Sequence, residues 1–474
     1  GGEVWKGYRN TLTQEGFSFE YSATFGQAIA AQTGSGRNAL LEEYGKATLF
    51  DYSYRYFYND GYGKDYRIMN LSGKRGQSEL AHFAEREKGR PQANMASWDD
   101  EELLNMYLTA YLLCLYEHTL VYESTPLVRN RFLIARPLGI FVGGSVNAVR
   151  KVRGQDVSDV VQILLFLQAF IARPQEFAGY IKRLLNPEDG IKNTRGYSLF
   201  ANSFMKIKEG LKIGEEDFAR RTYEKLIRKL FHSDTISPHL RIEKQKGGDK
   251  EIGLHVGNGE YFGVINVGDS DSLMKLCEDN GLDCKPLEFG TPSLFSKIND
   301  ESSSINILIG SKKFSEGWSS WRVSTMGLMN VGRSEGSEII QLFGRGVRLK
   351  GFKYSLKRSS ALDGSYNPGQ IPKGLRAIET LNIFGVRADY MDTFRKYLED
   401  EGLPANEETY TTVKIPTVKL LGDTKLKIVR LKEGYDFKKA VTVHPEEMAN
   451  KILVRVDWRP KVDAIWSSGK SGAG

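Results

Sequence analysis

The feature that most constrains this chain is a series of short, dense apolar runs separated by helical stretches. Residues 136–142, 262–267 and 305–309 carry close-set Ile, Val, Leu and Phe, as strands covered on both faces do. Residues 270–279 lie between the last two, open on Ser and Asp, and read as a helix. Strand, helix and strand in that order predict an α/β fold built on a parallel sheet.

Other segments read less regularly. Residues 99–123 predict a long helix, acidic at its start, with apolar repeats at Leu103, Tyr107, Tyr111 and Leu115. Asp99, Asp100, Glu101 and Glu102 then complement the helix dipole. Residues 151–235 read as amphipathic helices with basic pairs at Lys182-Arg183, Arg220-Arg221 and Arg228-Lys229. These suit either a solvated face or a nucleic-acid surface. Residues 17–21 and 47–49 predict short strands, 72–100 a surface excursion and 239–250 a polar, Gly-rich loop. The aromatic run 51–63 holds Tyr52, Tyr54, Tyr56, Phe57, Tyr58 and Tyr62; packing and base stacking are both open to it. Beyond 351 the pattern blurs into a helix near 388–401, strand-like pieces at 411–418, 425–431 and 452–458, and a Gly/Ser tail.

Composition bounds the classes. With 40% hydrophobic and 26% charged residues the chain is globular rather than disordered. A net charge of +7 suits a polyanionic partner. Cys114, Cys277 and Cys284 have neither zinc nor redox spacing, and so sparse a count fits a reducing, cytoplasmic setting. No apolar run reaches the roughly 18 residues that span a bilayer. The six histidines show no ligand spacing, so no metal site is expected. The opening Gly1-Gly2-Glu3-Val4 has no initiating Met and no signal pattern, and suggests a fragment.

The chemistry concentrates in 305–350. The strand 307–309 ends in Gly310-Ser311, at the carboxyl edge where ligands of open α/β sheets bind. A second turn, Glu316-Gly317-Trp318, follows. Gln341-Leu342-Phe343-Gly344-Arg345-Gly346-Val347-Arg348 then sets two arginines three apart. On a helix they share a face, and paired guanidinium forks suit a triphosphate. Surface salt bridging is the competing explanation. The flanking glycines are expected to let the backbone approach a neighbour.

These residues resemble the motifs of superfamily-two helicases. Residues 341–348 are similar to motif six, Q-x-x-G-R-x-x-R, and 311–319 to motif five, about thirty residues earlier. Tyr21-Ser22-Ala23-Thr24 resembles motif three and residues 136–145 motif four. The Glu-Gly-Trp turn and the Gly-Arg-Gly-x-Arg run look nearest to the restriction subunit of type III restriction enzymes and related phage-defence helicases. Asp60-Gly61-Tyr62 resembles the Asp-Gly that begins a return strand there.

The resemblance implies a partial first RecA-like domain over 1–125 and a complete second one over 126–355, with a helical insertion at about 151–255. A smaller α+β accessory region would occupy 356–474. It implies ATP and Mg2+ as cofactors, DNA as partner, duplex rather than RNA since Ser319 stands where RNA-unwinding relatives carry an acid, and a modification methyltransferase subunit as a further partner. Arg345 and Arg348 would be arginine fingers and Gln341 a nucleotide sensor. Glu316, Gly317, Gly344, Ser22 and Thr24 would line or sense the nucleotide. Ser311, Gly143, Gly144 and Ser145 would meet nucleic-acid phosphates.

The phosphate loop G-x-x-x-x-G-K-[ST] is missing: Gly34-Ser35-Gly36-Arg37 has Arg in place of Lys and follows motif three. No Asp-Glu pair ends an apolar strand, so these residues alone are not expected to hydrolyse ATP. A degenerate, non-catalytic binding module is the alternative. Asp457, Lys461 and Asp463 do not make a nuclease pattern.

Overall fold

The computed structural model describes residues 2–22, 34–50, 52–71, 100–143, 150–152, 155–186, 191, 198–200, 203–210, 217–234, 239–245, 251–287, 292–310, 318–329, 336–362, 371–386 and 398. The chain divides into two compact units, 1–409 and 410–474, and every described residue belongs to the first.

The strands are β1 (Asp65–Leu71), β2 (Leu138–Val142), β3 (Arg150–Val152), β4 (Gln155–Val157), β5 (Leu240–Lys244), β6 (Glu251–Val256), β7 (Gly263–Asn266), β8 (Asp283–Pro286), β9 (Ile307–Gly310), β10 (Val323–Met329) and β11 (Thr380–Val386). Nine form one sheet in the order β1-β11-β10-β2-β9-β7-β6-β5-β8, and β3 pairs with β4 in a separate hairpin. Only β6 runs against the rest. The fold is therefore α/β on a mostly parallel sheet.

Helices cover both faces. They are α1 (Gly2–Thr13), α2 (Ser35–Glu43), α3 (Tyr54–Asn59), α4 (Asp100–Ser124), α5 (Pro126–Asn130), α6 (Asp159–Ala172), α7 (Pro174–Leu185), α8 (Met205–Glu209), α9 (Phe218–Phe231), α10 (Ser270–Asp279), α11 (Gly336–Gly346) and α12 (Leu375–Ile378). Alternation of side chains along the strands divides the core. Tyr66, Ile140, Leu308, Met326 and Leu381 pack with Leu342 and Phe343 of α11. Phe141, Ile309, Met329 and Phe384 face α4 and α6.

The long helix α4 is buried on every side between Met106 and Leu115, as a helix apolar all round must be. The sheet lies on one side of it, and α7 and α9 on the other. Two glycines make this packing possible. A Cβ on Gly139 would stand 2.5 Å from the Tyr111 hydroxyl, and one on Gly327 2.4 Å from the Phe141 ring. Those two rings stack at 4.1 Å.

Several expectations change. Residues 17–21 form no strand: Phe17, Phe19 and Tyr21 are exposed and no strand pairs with them among the described residues. Residues 45–47 are a single 3-10 turn rather than the start of a strand. The expected loop 239–250 contains β5, and 151–255 contributes β5 and β6 to the main sheet besides its helices. β1, from the stretch assigned by resemblance to a first lobe, is hydrogen-bonded to β11 in that same sheet. The expected helix at 388–401, save residue 398, and the strands at 411–418, 425–431 and 452–458 lie outside the described residues. Among the described residues no helix is long and apolar enough to cross a membrane.

The basic pairs find acids. Arg183 meets Glu102 at 2.8 Å, Arg220 meets Asp217 and Glu224 at 3.0 and 2.6 Å, Arg228 meets Asp234 at 2.9 Å, and Lys229 meets Glu123 at 2.7 Å. Four of the six charges are thus neutralised near the surface.

Candidate functional site

The helix α11 follows β10 and runs back along it, burying Leu342, Phe343, Gly346 and Val347. A Cβ on Gly346 would come within 2.7 Å of Leu381 and 2.9 Å of Met326, so this glycine sets how closely the helix approaches the sheet. Gly344 differs from expectation. It is exposed, and a Cβ there would meet nothing within 4 Å. Packing places no demand on it.

Gln341, Gly344, Arg345 and Arg348 fall at i, i+3, i+4 and i+7 and share the outer face, with Arg348 just past the last helical turn. Arg345 donates to the Trp318 carbonyl and Arg348 to the Ser319 hydroxyl. Both guanidiniums thus lean on residues 318 and 319. Neither forms an ion pair with a carboxylate among the described residues. The Arg345 Nε is buried without a hydrogen-bond partner among the described residues. Burial, and next the like charge of Arg348, lower Arg345's proton affinity below that of an ordinary arginine.

The aromatic run beside this helix serves packing. Tyr54 on α3 meets the Phe343 ring at 5.0 Å, Tyr66 meets it at 5.4 Å, and Tyr58 meets Tyr66 at 5.6 Å. Tyr52 and Tyr56 differ: they stack with each other and with Phe50 in solvent, while Phe57 stacks on Tyr62 at 5.6 Å.

The strand-end residues stand elsewhere. Gly143 caps β2, and its N–H donates to the Gly310 carbonyl at 3.1 Å, so that amide is committed to the sheet rather than offered to a phosphate. Its hydrogen atom is needed for another reason, since a Cβ would lie 2.7 Å from that of Asp159 at the start of α6. Gly143 ends β2 at the carboxyl edge, level with the end of β10. The arginine pair lies at the opposite edge. Lys64 shows this, because its N–H bonds to the Val347 carbonyl immediately before β1 begins. The structure therefore does not bring Gly143 together with Arg345 and Arg348.

Ser22 is exposed in irregular chain after α1. Thr24, Gly144, Ser145, Ser311, Glu316 and Gly317 lie outside the described residues. No protein-family model, curated protein or solved structure matches this chain. What the site can do rests on its own residues.

Sequence reasoning missed two buried cations at the amino edge. Arg322, just before β10, donates to the carbonyls of Arg136 at 3.0 Å and Ile305 at 2.7 Å, and also to that of Ile298. Burial, with Arg136 nearby, draws its pKa down to about 10. Lys64 donates to the carbonyls of Trp321, at 3.3 Å, and of Val323. Both bind backbone and hold the segment on which the arginine pair leans. No local pattern marks them, because their partners are carbonyls distant in sequence.

Proposed function

We propose that this chain is the nucleotide-clamping portion of an ATP-dependent DNA translocase of the superfamily-two kind, built on RecA-like architecture and nearest to type III restriction subunits. One observation carries the reading: two half-buried arginines three apart share the outer side of α11 and the turn after it, with no carboxylate neutralising them among the described residues. Like charges so placed repel, and an incoming polyanion relieves that repulsion.

The residues present fit the phosphates of ATP. Arg345 and Arg348 would hold them, and the open face at Gly344 lets a ligand approach the backbone. Bound ATP supplies the phosphoryl group to be transferred. The protein's part is to hold two fixed positive forks where negative charge builds up. Magnesium is a different matter. Among the described residues no group of three His, Cys, Asp or Glu could hold a metal ion, so that ion needs carboxylates from elsewhere.

Separation of the two sheet edges supports a division of labour. The arginine pair belongs to the amino edge, while the strand ends at Gly143 and Gly310 belong to the carboxyl edge. A nucleotide at the arginine pair would be coupled to a ligand at the strand ends through α11 and β10. DNA, a modification subunit and a cytoplasmic, phage-defence setting belong to this proposal.

The lack of a phosphate loop in these 474 residues favours a second reading, a helicase-like module that binds without turnover. One experiment separates the two. The chain is assayed for DNA-stimulated ATPase together with polypeptide that supplies a phosphate loop. Arg348→Ala should then lower turnover about a thousandfold and leave ATP binding largely intact. Unchanged turnover in that variant overturns the finger role; no stimulated turnover in the unaltered protein leaves the non-catalytic module.

A further inference from the structure

We infer that residues 350–358, the loop that leaves the arginine pair, grip single-stranded nucleic acid, with Lys350, Lys353 and Lys357 on backbone phosphates and Tyr354 against a base. This does not rest on the arginine pair acting on ATP. It also places a nucleic-acid contact at the amino edge, away from the strand ends considered above.

The composition is one-sided. Residues 348–358 contain five cations and no acid. Arg358 is consumed internally: it donates to the carbonyls of Tyr58, Tyr62 and Gly63 and lies 4.3 Å from the Tyr58 ring centroid. The three lysines are not so used. None forms an ion pair among the described residues, and each ammonium instead stands over an aromatic ring. Lys350 is 6.0 Å from Tyr354, Lys353 5.5 Å from Phe352 and Lys357 5.0 Å from Tyr62. An ammonium over a ring keeps its outward N–H groups free for a phosphate.

The backbone is held in an uncommon shape. Lys353 and Tyr354 are consecutive left-handed residues, at φ 51° and 64°, and neither is glycine. Such a conformation persists only where its surroundings impose it. Here they do. The Gly63 N–H bonds to Leu356 O at 2.8 Å, Arg358 N–H to Gly61 O at 2.8 Å, and Gly351 N–H to Ser355 O at 2.8 Å. This clasp leaves Tyr354 72% exposed and Leu356 46% exposed at the tip. A large ring held out in water among unpaired lysines is what single-strand binding uses: charge tracks the backbone and an aromatic face stacks a base.

The test is fluorescence anisotropy of the full chain with a labelled thymidylate strand of about 20 nucleotides, between about 50 and 200 mM salt. In Lys350→Gln/Lys353→Gln/Lys357→Gln the slope of log affinity against log salt should shrink by about 2, from three contacts at about 0.7 each. The corresponding triple Lys→Arg variant should keep the original slope. Tyr354→Ala should weaken binding about fivefold or more with the slope unchanged, and Tyr354→Phe should bind normally. If the triple Gln variant fails to fold, each single Lys→Gln variant must lower the slope by about 0.7. A slope indifferent to the lysines, no binding by the unaltered chain, or displacement of the strand by ATP overturns the proposal; the last would place the loop in the nucleotide site.

Discussion

Lys64 offers the most quantitative test of the amino-edge architecture. Its side chain is fully enclosed, and that burial pulls its pKa from 10.5 to about 7, only partly opposed by Glu379. In the unfolded chain it titrates normally. Between about pH 7 and 10.5 the unfolded state therefore binds more protons than the folded one, and stability rises with pH. The full penalty, about 5 kcal/mol for 3.5 units at 1.36 kcal/mol each, is present below pH 7 and vanishes above 10.5. Between pH 7 and 9 the relief amounts to about 2 kcal/mol. Lys64→Met removes this titration. It also removes donors to the Trp321 and Val323 carbonyls, a loss that does not vary with pH. Urea unfolding of both proteins at pH 7 and pH 9 isolates the effect, since all other titrating groups are shared. The stability of the variant relative to the parent should fall by about 2 kcal/mol over that interval. Parallel curves would mean that Lys64 is solvated and that the edge is not sealed as described.

Gly61 has φ +85°, and a Cβ on it would lie 2.0 Å from that of Ala361. Gly61→Ala should therefore cost about 2–4 kcal/mol in urea unfolding, from left-handed strain and overpacking together; a change within about 0.5 kcal/mol would refute the clasp. His118 is buried, with Nε2 3.3 Å from the Asn382 amide, and burial followed by the charge of Lys64 draws its pKa down to about 3. Its ring resonances should not titrate between about pH 5 and 8, and a midpoint near that of free histidine would show water in the site. Because the unfolded histidine takes a proton that the folded one refuses, this residue withdraws up to about 1.4 kcal/mol of stability per pH unit as pH falls below about 6.5.

What could be read from sequence depended on where burial comes from. The strands β2, β7 and β9 and the helices α4 and α10 announce themselves by local apolar density. Strands β10 and β11 are just as buried, yet Ser324, Thr325, Gly327, Asn382 and Gly385 interrupt their apolar pattern. Tertiary partners accommodate those residues: Phe141 fills the space beside Gly327, and His118 meets Asn382. β8 is an exposed edge ending in Pro286, a poor strand by composition. The opposite error occurred at 17–21, where apolar alternation had no neighbour to pair with. The sequence could not decide between a solvated and a nucleic-acid-binding face for the basic helical pairs, because Glu102 and Glu123, which neutralise Arg183 and Lys229, lie 81 and 106 residues away.

The spacing of the arginine motif was legible, but its place on the sheet was not. The pattern placed Gly310 and Ser311 at the carboxyl edge and gave no edge for the arginines. Topology supplies it. Successive parallel strands β10 and β11 require the helix between them to travel back, so residues at its far end reach the amino edge. Gln341, nearly two turns before Arg348, lies correspondingly nearer mid-sheet. Among the described residues, the body of α11 and residues 318–322, which Arg322 and Lys64 tie down, link the strand ends at Gly143 and Gly310 to the arginine pair. Loosening that tie with Arg322→Met should weaken the communication between edges before it weakens either ligand. A variant that kept nucleic-acid stimulation of nucleotide turnover while losing the Arg322 bonds would show that the coupling runs through α11 alone.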